Sequence, residues 1–127
     1  MYATPKPIGR IVEEASPTEF LFVADKESHP PKYEYVTVYS KELAGDRVER
    51  VQVLAQVVGV VSRSLSYRED LDLEALERIY RAGIDDVNVI CKARTLGYMI
   101  ATEGKKEILM PRRAIYPGNE VYLAPTN

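Results

Sequence analysis

Residues 47–62 restrict the fold of this chain more than any other stretch, because two rows of residues alternate along them. Side chains of a β-strand point to opposite faces in turn, so this period of two predicts a long strand. One row is Val51, Val53, Ala55, Val57, Gly59 and Val61, and the other is Arg50, Gln52, Leu54, Gln56, Val58 and Val60. We expect an amphipathic N-terminal half, a C-terminal half buried on both faces, and a bulge or bend at Gly59 because ordinary strands are shorter.

The same alternation, with enrichment in β-branched and aromatic residues, recurs along most of the chain. Turn signals separate the segments at 16–18, around Gly45, at Glu103-Gly104 and at 117–119, and the last two are predicted to be hairpin turns. The predicted strands are 8–15, 19–24, 33–40, 47–62, 87–93, 95–101, 106–111 and 120–124, and 41–46 is a predicted loop.

Three tyrosines share one face of the predicted strand 33–40. Tyr33, Tyr35 and Tyr39 alternate with Val36 and Val38. Aromatic side chains on a regular face can stack nucleic-acid bases. The opposite face offers only two valines to a core, so we expect the tyrosines to pack inside.

One segment, 72–82, has helical rather than strand periodicity. Asp72 is suited to cap its N-terminus, and Gly83 is suited to end it. Leu73, Leu76, Ile79 and Tyr80 form an apolar stripe. Burying each aliphatic side chain contributes roughly 1.5–3 kcal/mol, so we expect the helix to dock on the sheet with Tyr80 in the core.

These elements predict an all-β fold with one inserted helix near residues 72–82. Strands and helices do not alternate, which disfavours a parallel doubly wound sheet. Short antiparallel segments joined by tight turns favour a small closed barrel or a sandwich, and we predict a closed antiparallel β-barrel of six to seven strands. The chain of 127 residues can bury a core without disulfides, and we expect residues 1–127 to form a single domain.

The sequence lacks the patterns that common catalytic sites need. A phosphate-binding Walker loop requires a second glycine five positions before Gly-Lys-Ser/Thr, but Met99 precedes Gly104-Lys105, and Lys106 follows. Cys91 is the sole cysteine and His29 the sole histidine, too few for a zinc site. We predict no catalytic, cofactor-binding or metal site, an exposed loop position for His29 and a buried strand position for Cys91.

Charge and hydropathy limit the partners of the chain. The net charge is −2, so the chain as a whole is not a polycation for nucleic acid. No apolar run approaches the roughly 20 residues of a membrane span, and a single cysteine fits a reducing cytoplasm. Basic residues nevertheless concentrate near the C-terminus, whereas 13–27 is acidic. The candidate partner- or DNA-facing residues are Lys92, Arg94, Lys105, Lys106, Arg112 and Arg113. They form either ordinary solvated surfaces or the basic end of a dipolar domain.

Several short segments resemble one protein family in order and spacing. They are 8–12 (IGRIV), 18–22 (TEFLF), 57–61 (VVGVV), 111–113 (PRR) and 117–125 (PGNEVYLAP). Together they resemble the N-terminal barrel of HerA-type archaeal hexameric DNA translocases, over roughly residues 7–125.

The resemblance implies a HAS barrel, the type shared with ATP-synthase subunits, placed before a RecA/FtsK-like ATPase that uses ATP and magnesium. In that family six copies form a ring around duplex DNA. The ring works with the nuclease NurA, alongside the Mre11–Rad50 complex, in resecting DNA ends for recombinational repair. The barrel then forms a rim on which NurA docks and is not itself an enzyme.

The chain departs from the family in stopping at Asn127, without Walker motifs or an arginine finger. No catalytic residue is therefore carried over, and we expect a fragment rather than a stand-alone relative. The alternative function is a stand-alone oligonucleotide-binding barrel that uses the tyrosine face and the basic residues.

Overall fold

The computed structural model describes residues 6–102 and 104–125, apart from the side chains of Ala101, Thr102 and Lys105. The predicted turn residue Glu103 lies outside this description. The strands are β1 (Gly9–Ala15), β2 (Glu19–Ala24), β3 (Tyr35–Ala44), β4 (Arg47–Arg63), β5 (Asn88–Thr102), β6 (Lys105–Leu109) and β7 (Glu120–Leu123), and the helix α1 is Leu73–Arg81.

Six of the strands close into an antiparallel barrel, which confirms the predicted fold class. The strands follow each other around the barrel in the order β1, β2, β5, β4, β3 and β7, and β7 pairs again with β1. The seventh strand, β6, pairs with the second half of β5 and extends the sheet beyond the closed ring. Where the six strands pair around the ring, closure leaves no open sheet edge among them.

The barrel interior is filled by the apolar residues of alternate strand positions. Phe20 and Phe22 supply the largest fully buried side chains, and Val36, Val53 and Val121 face them from other strands. The buried apolar side chains of the described residues form one continuous core. Cys91 belongs to it, as predicted, and burial raises the pKa of its thiol to about 11.

The long strand β4 follows its predicted pattern up to Gly59. Val53, Ala55 and Val57 are fully buried. The pairing with β5 shifts register between Val57 and Gly59, which confirms the predicted irregularity at this glycine. The prediction that the C-terminal half is buried on both faces is wrong, because Val61 is more than half exposed. The shift exchanges the two faces, so Val60 packs against the core instead.

Two hairpins are longer than the sequence indicated. Of residues 41–46, predicted as a loop, residues 41–44 continue β3, and only Gly45 and Asp46 form the turn. β3 pairs with β4 as far as Ala44 and Arg47. The predicted strands 87–93 and 95–101 are one strand, because β5 continues through Arg94. Pairing of β4 with β5 begins only at Val53 and Tyr98. The outer part of the β5–β6 hairpin is thus not paired to the β3–β4 hairpin within the described residues.

The connection from β6 to β7 is a crossover and not the predicted hairpin. Residues 117–119 do form a turn, with Gly118 at φ +91°, but β7 lies between β1 and β3. Pro111 and Ile115 are buried along the way. Sequence proximity favoured a hairpin, whereas closure of the barrel requires β7 to fill the gap between two distant strands.

The helix α1 begins and ends where the sequence predicts, but it packs loosely. The Asp72 side chain accepts a hydrogen bond from the Ala75 N–H at 2.8 Å, and Gly83 follows at φ +73°. No residue of α1 is buried, and Leu73 and Tyr80 are largely exposed. The prediction that Tyr80 belongs to the core is therefore wrong, because strand residues already fill the interior. No helix in the described part of the chain is long and apolar enough to cross a membrane.

Candidate functional site

The predicted basic residues are divided among separate parts of the barrel. Lys92 and Arg94 lie in the first half of β5. Lys106 lies on β6 and pairs with Ala101 near the end of β5. Ala101 is nine positions beyond Lys92, which corresponds to roughly 30 Å of extended strand. Lys105 pairs with Thr102, and its side chain is outside the described part. The structure does not bring the six residues together as one patch.

Lys92 lies among acidic residues of the barrel wall. Its Nζ atom is 3.5 Å from Oε2 of Glu19, and Arg94 pairs across the strands with the same Glu19. Lys92 also borders an open groove of about 620 Å³ with Glu13 and Glu14. The basic and acidic segments of the sequence therefore meet at this point, and the charges partly compensate each other.

Arg112 and Arg113 are held through their backbone rather than their side chains. The carboxylate of Glu42, only 3% exposed, accepts the Arg112 N–H at 2.9 Å and the Arg113 N–H at 3.1 Å. The Arg112 side chain is exposed and that of Arg113 is half-buried. Glu42 thus fixes the crossover from β6 to β7 against β3. Sequence reasoning missed this residue, although its place in the inward row of β3 with Val36 and Val38 was a usable signal.

The tyrosine face points outwards, so the prediction that it packs inside is wrong. Tyr33, Tyr35 and Tyr39 are exposed, whereas Val36 and Val38 are fully buried. The guanidinium of Arg50 lies 3.9 Å from the centre of the Tyr39 ring, and Tyr122 meets that ring edge-on with centroids 6.2 Å apart. The narrow interior has room for the valines, and the phenol groups remain in contact with water.

An apolar outward surface lies on β4, β5 and β6. Four aliphatic side chains point away from the core there, with Leu54 37%, Leu96 39%, Met99 62% and Ile108 72% exposed. We call this surface the apolar face. It lines a groove of about 550 Å³, together with Gln52 and Thr37. The hydroxyl of Thr37 is buried and has no hydrogen-bond partner.

Leu54 is the one sequence signal for this surface on β4. It interrupts the otherwise polar row of Arg50, Gln52 and Gln56 on β4. Scattered single apolar residues are normal on protein surfaces, so the signal had no weight until neighbouring strands were known. Met99 and Ile108 become its neighbours only through the β5–β6 hairpin.

The remaining residues considered from the sequence are the candidate metal ligands and His29. No three His, Cys, Asp or Glu side chains of the described residues come together in a way that would hold a metal ion. His29 is exposed in a loop, as predicted, with Nδ1 3.0 Å from the Lys26 carbonyl oxygen. Comparison with known protein families and with curated proteins gives no match for this chain.

Proposed function

We propose that the chain is a non-catalytic docking and assembly barrel that acts in the cytoplasm as part of a HerA-type DNA translocase. The proposed partner is the nuclease NurA, and the six-membered ring is formed by the parent protein. The attribution to HerA and NurA is supported by the sequence segments that resemble this family. The docking role is supported by one observation on the barrel itself, the apolar face.

The apolar face has the size of the largest apolar patch on a typical monomeric protein. From their exposed fractions, its four side chains present roughly 400 Å² of apolar area, within the ~300–600 Å² of the largest patch on a typical monomer, which is often functional. These residues stand on paired strands rather than on a loop, so their positions are preorganised for contact.

One barrel offers a modest contact, and a ring multiplies it. A standard protein interface buries about 800 Å² per partner, roughly twice the apolar area estimated here. The affinity of one barrel for NurA should therefore be modest. Six linked barrels raise the avidity without a new contact, provided that the geometry allows several to engage at once.

The test is a calorimetric titration of NurA with the purified chain and with a Met99→Asp/Ile108→Asp double variant. We expect the double variant to lose most of the binding, because it places two charges in a desolvated contact. Leu65→Asp is the control, since Leu65 is an exposed leucine two residues beyond the end of β4 and is not part of the apolar face. The docking role is wrong if NurA does not bind the chain, or if both variants bind it as the unaltered chain does.

A second function, binding of single-stranded nucleic acid, is favoured by the outward tyrosines. Tyr39, Lys41, Arg50 and Tyr116 line a groove of about 300 Å³, where aromatic rings and cations are available to bases and phosphates. Steeply salt-dependent binding of a single-stranded oligonucleotide that is lost in Tyr39→Ala would support this function. Binding that is absent at low salt would eliminate it.

A further inference from the structure

We propose that the free edge of β6 binds an extended segment of a partner protein by strand addition, with apolar residues at alternate positions and acidic residues between or beside them. This inference deepens the proposed docking function and rests on it. It assigns the chemistry of the partner segment and the backbone groups that recognise it.

The first observation is that β6 has a single strand neighbour. It pairs with β5 and with no other strand among the described residues. Thr102 and Lys105 flank the turn of this hairpin, so they exchange both backbone hydrogen bonds. Hydrogen-bonded and non-hydrogen-bonded residue pairs alternate along an antiparallel hairpin. Lys106 and Ile108 are therefore the next two residues of β6 that form no backbone hydrogen bonds with β5. Their N–H and C=O groups point away from β5 and can pair with an added strand.

The second observation is that apolar side chains lie on both sides of this edge. Ile108 belongs to the apolar face and pairs with Met99. On the other side, Leu109 lines a groove of about 370 Å³ with Leu43 and Met110. An added strand would place alternate side chains beside Ile108 and towards this groove. Strand addition works in this way, with backbone bonds giving affinity and side-chain contacts giving specificity.

The charges around the edge select an acidic segment. Lys106 is exposed on β6, and Arg112 and Arg113 line the groove beside Leu109. The carboxylate of Glu42 in that groove is already engaged by two backbone N–H groups. Glu42 and the exposed Glu107 of β6 each carry one negative charge. The three basic side chains still leave a positive excess of one charge, which carboxylates on the partner segment would complement.

A second copy of this chain is a poorer occupant of the edge. Two β6 strands paired about Glu107 would place like carboxylates opposite each other, and lysines on edge strands oppose self-pairing. The apolar face alone is also smaller than the roughly 800 Å² per partner, polar and apolar together, that a standard interface buries. A short extended segment needs less area, because backbone hydrogen bonds contribute to its binding.

The experiment compares Lys106→Pro with Lys106→Ala in the full chain. Proline removes the N–H that faces the free edge and is tolerated on edge strands, whereas alanine removes only the charge. Each variant is titrated with NurA and with a synthetic peptide that alternates valine and threonine between terminal aspartates. The same peptide with a central proline is the ligand control. Thermal unfolding checks that both variants keep the stability of the unaltered chain.

We expect Lys106→Pro to weaken binding of both ligands roughly threefold to tenfold more than Lys106→Ala, as the loss of one net hydrogen bond implies. Amide hydrogen exchange followed by NMR should show protection of the Lys106 and Ile108 amides by either ligand and none by the proline peptide.

The other outcomes show whether strand addition, the NurA partnership or both are wrong. If NurA binds but both variants bind equally and the two amides stay unprotected, strand addition is wrong and docking stands. If the peptide protects the amides but NurA does not bind, the NurA partnership is wrong and strand addition stands. If neither ligand binds, both are wrong.

Discussion

Removing the carboxylate of Glu42 should loosen the crossover from β6 to β7 and destabilise the whole barrel. The carboxylate accepts the backbone N–H groups of Arg112 and Arg113 at 2.9 and 3.1 Å and is 3% exposed. In Glu42→Ala both donors lose their partner. The N–H of Arg112 regains water more readily than that of Arg113, because Arg113 is half-buried.

The magnitude follows from the two hydrogen bonds. A hydrogen bond to a charged group contributes about 1.5–3 kcal/mol. Glu42→Ala also removes the free-energy cost of burying a carboxylate, which offsets part of the loss of the two bonds. We expect Glu42→Ala to lower the free energy of unfolding by about 2–4 kcal/mol. At roughly 3–5 °C per kcal/mol for a domain of this size, the Tm should fall by about 10 °C. Glu42→Gln keeps one acceptor and should lose about half as much.

The assay is urea unfolding and thermal unfolding followed by circular dichroism, with Glu49→Ala as the control. Glu49 is the cross-strand partner of Glu42 on the same hairpin, but it is exposed and pairs with Arg47 at 3.2 Å. An exposed ion pair contributes about 0–1 kcal/mol, so this control should stay close to the unaltered chain. Equal losses in Glu42→Ala and Glu49→Ala would refute the anchoring role.

Two further predictions concern the backbone of β5 and acid stability. Gly97→Ala should cost about 2 kcal/mol or more, because φ is +142° and a Cβ would lie 2.8 Å from Ile108 Cγ2 and 2.9 Å from the Leu109 carbonyl oxygen. Gly59→Ala, whose Cβ would meet its nearest neighbour at 3.7 Å, is the control, and urea midpoints that shift equally would contradict the reasoning. Hydrogen bonds from Ser64, and then from Ser66, lower the pKa of Asp86 below its ordinary value of 3.8. The ionised carboxylate therefore stabilises the fold fully above pH 3.8, and this stabilisation is lost as the pH falls through the lowered pKa. Asp86→Asn should therefore be less stable than the unaltered chain at neutral pH, and the gap should narrow in unfolding curves below about pH 3.8; a gap independent of pH would exclude this origin.

The interior of the barrel was predictable because it depends on a local period. Alternation places Val53, Ala55 and Val57 on one side of a strand wherever that strand lies. The same reasoning identified the turn at Gly45 and the capping of α1 by Asp72, since turns and caps depend on a few adjacent residues. These features are all confirmed by the structure.

The outward surfaces were not predictable from alternation. The two faces of strand 33–40 differ in composition, but the period does not state which face meets the core. Closure decided that the valines lie inside and the tyrosines outside, because the interior of six strands is narrow. The charge cluster of the sequence was likewise dispersed, because Lys92 lies in the first half of β5, whereas Lys106 lies on β6 and pairs with Ala101 near the end of β5.

By itself, then, the sequence determined where most of the strands lie, the turn at Gly45, the helix cap and the two alternating faces of each strand. Only the tertiary structure decided which strands are neighbours, and with that the apolar face, the Glu42 anchor and the free edge of β6. The physical reason is one of range. Periodicity and turn chemistry act between residues a few positions apart. Leu54 and Ile108 line one groove, and Glu42 accepts the Arg112 N–H, only when the barrel brings distant segments together.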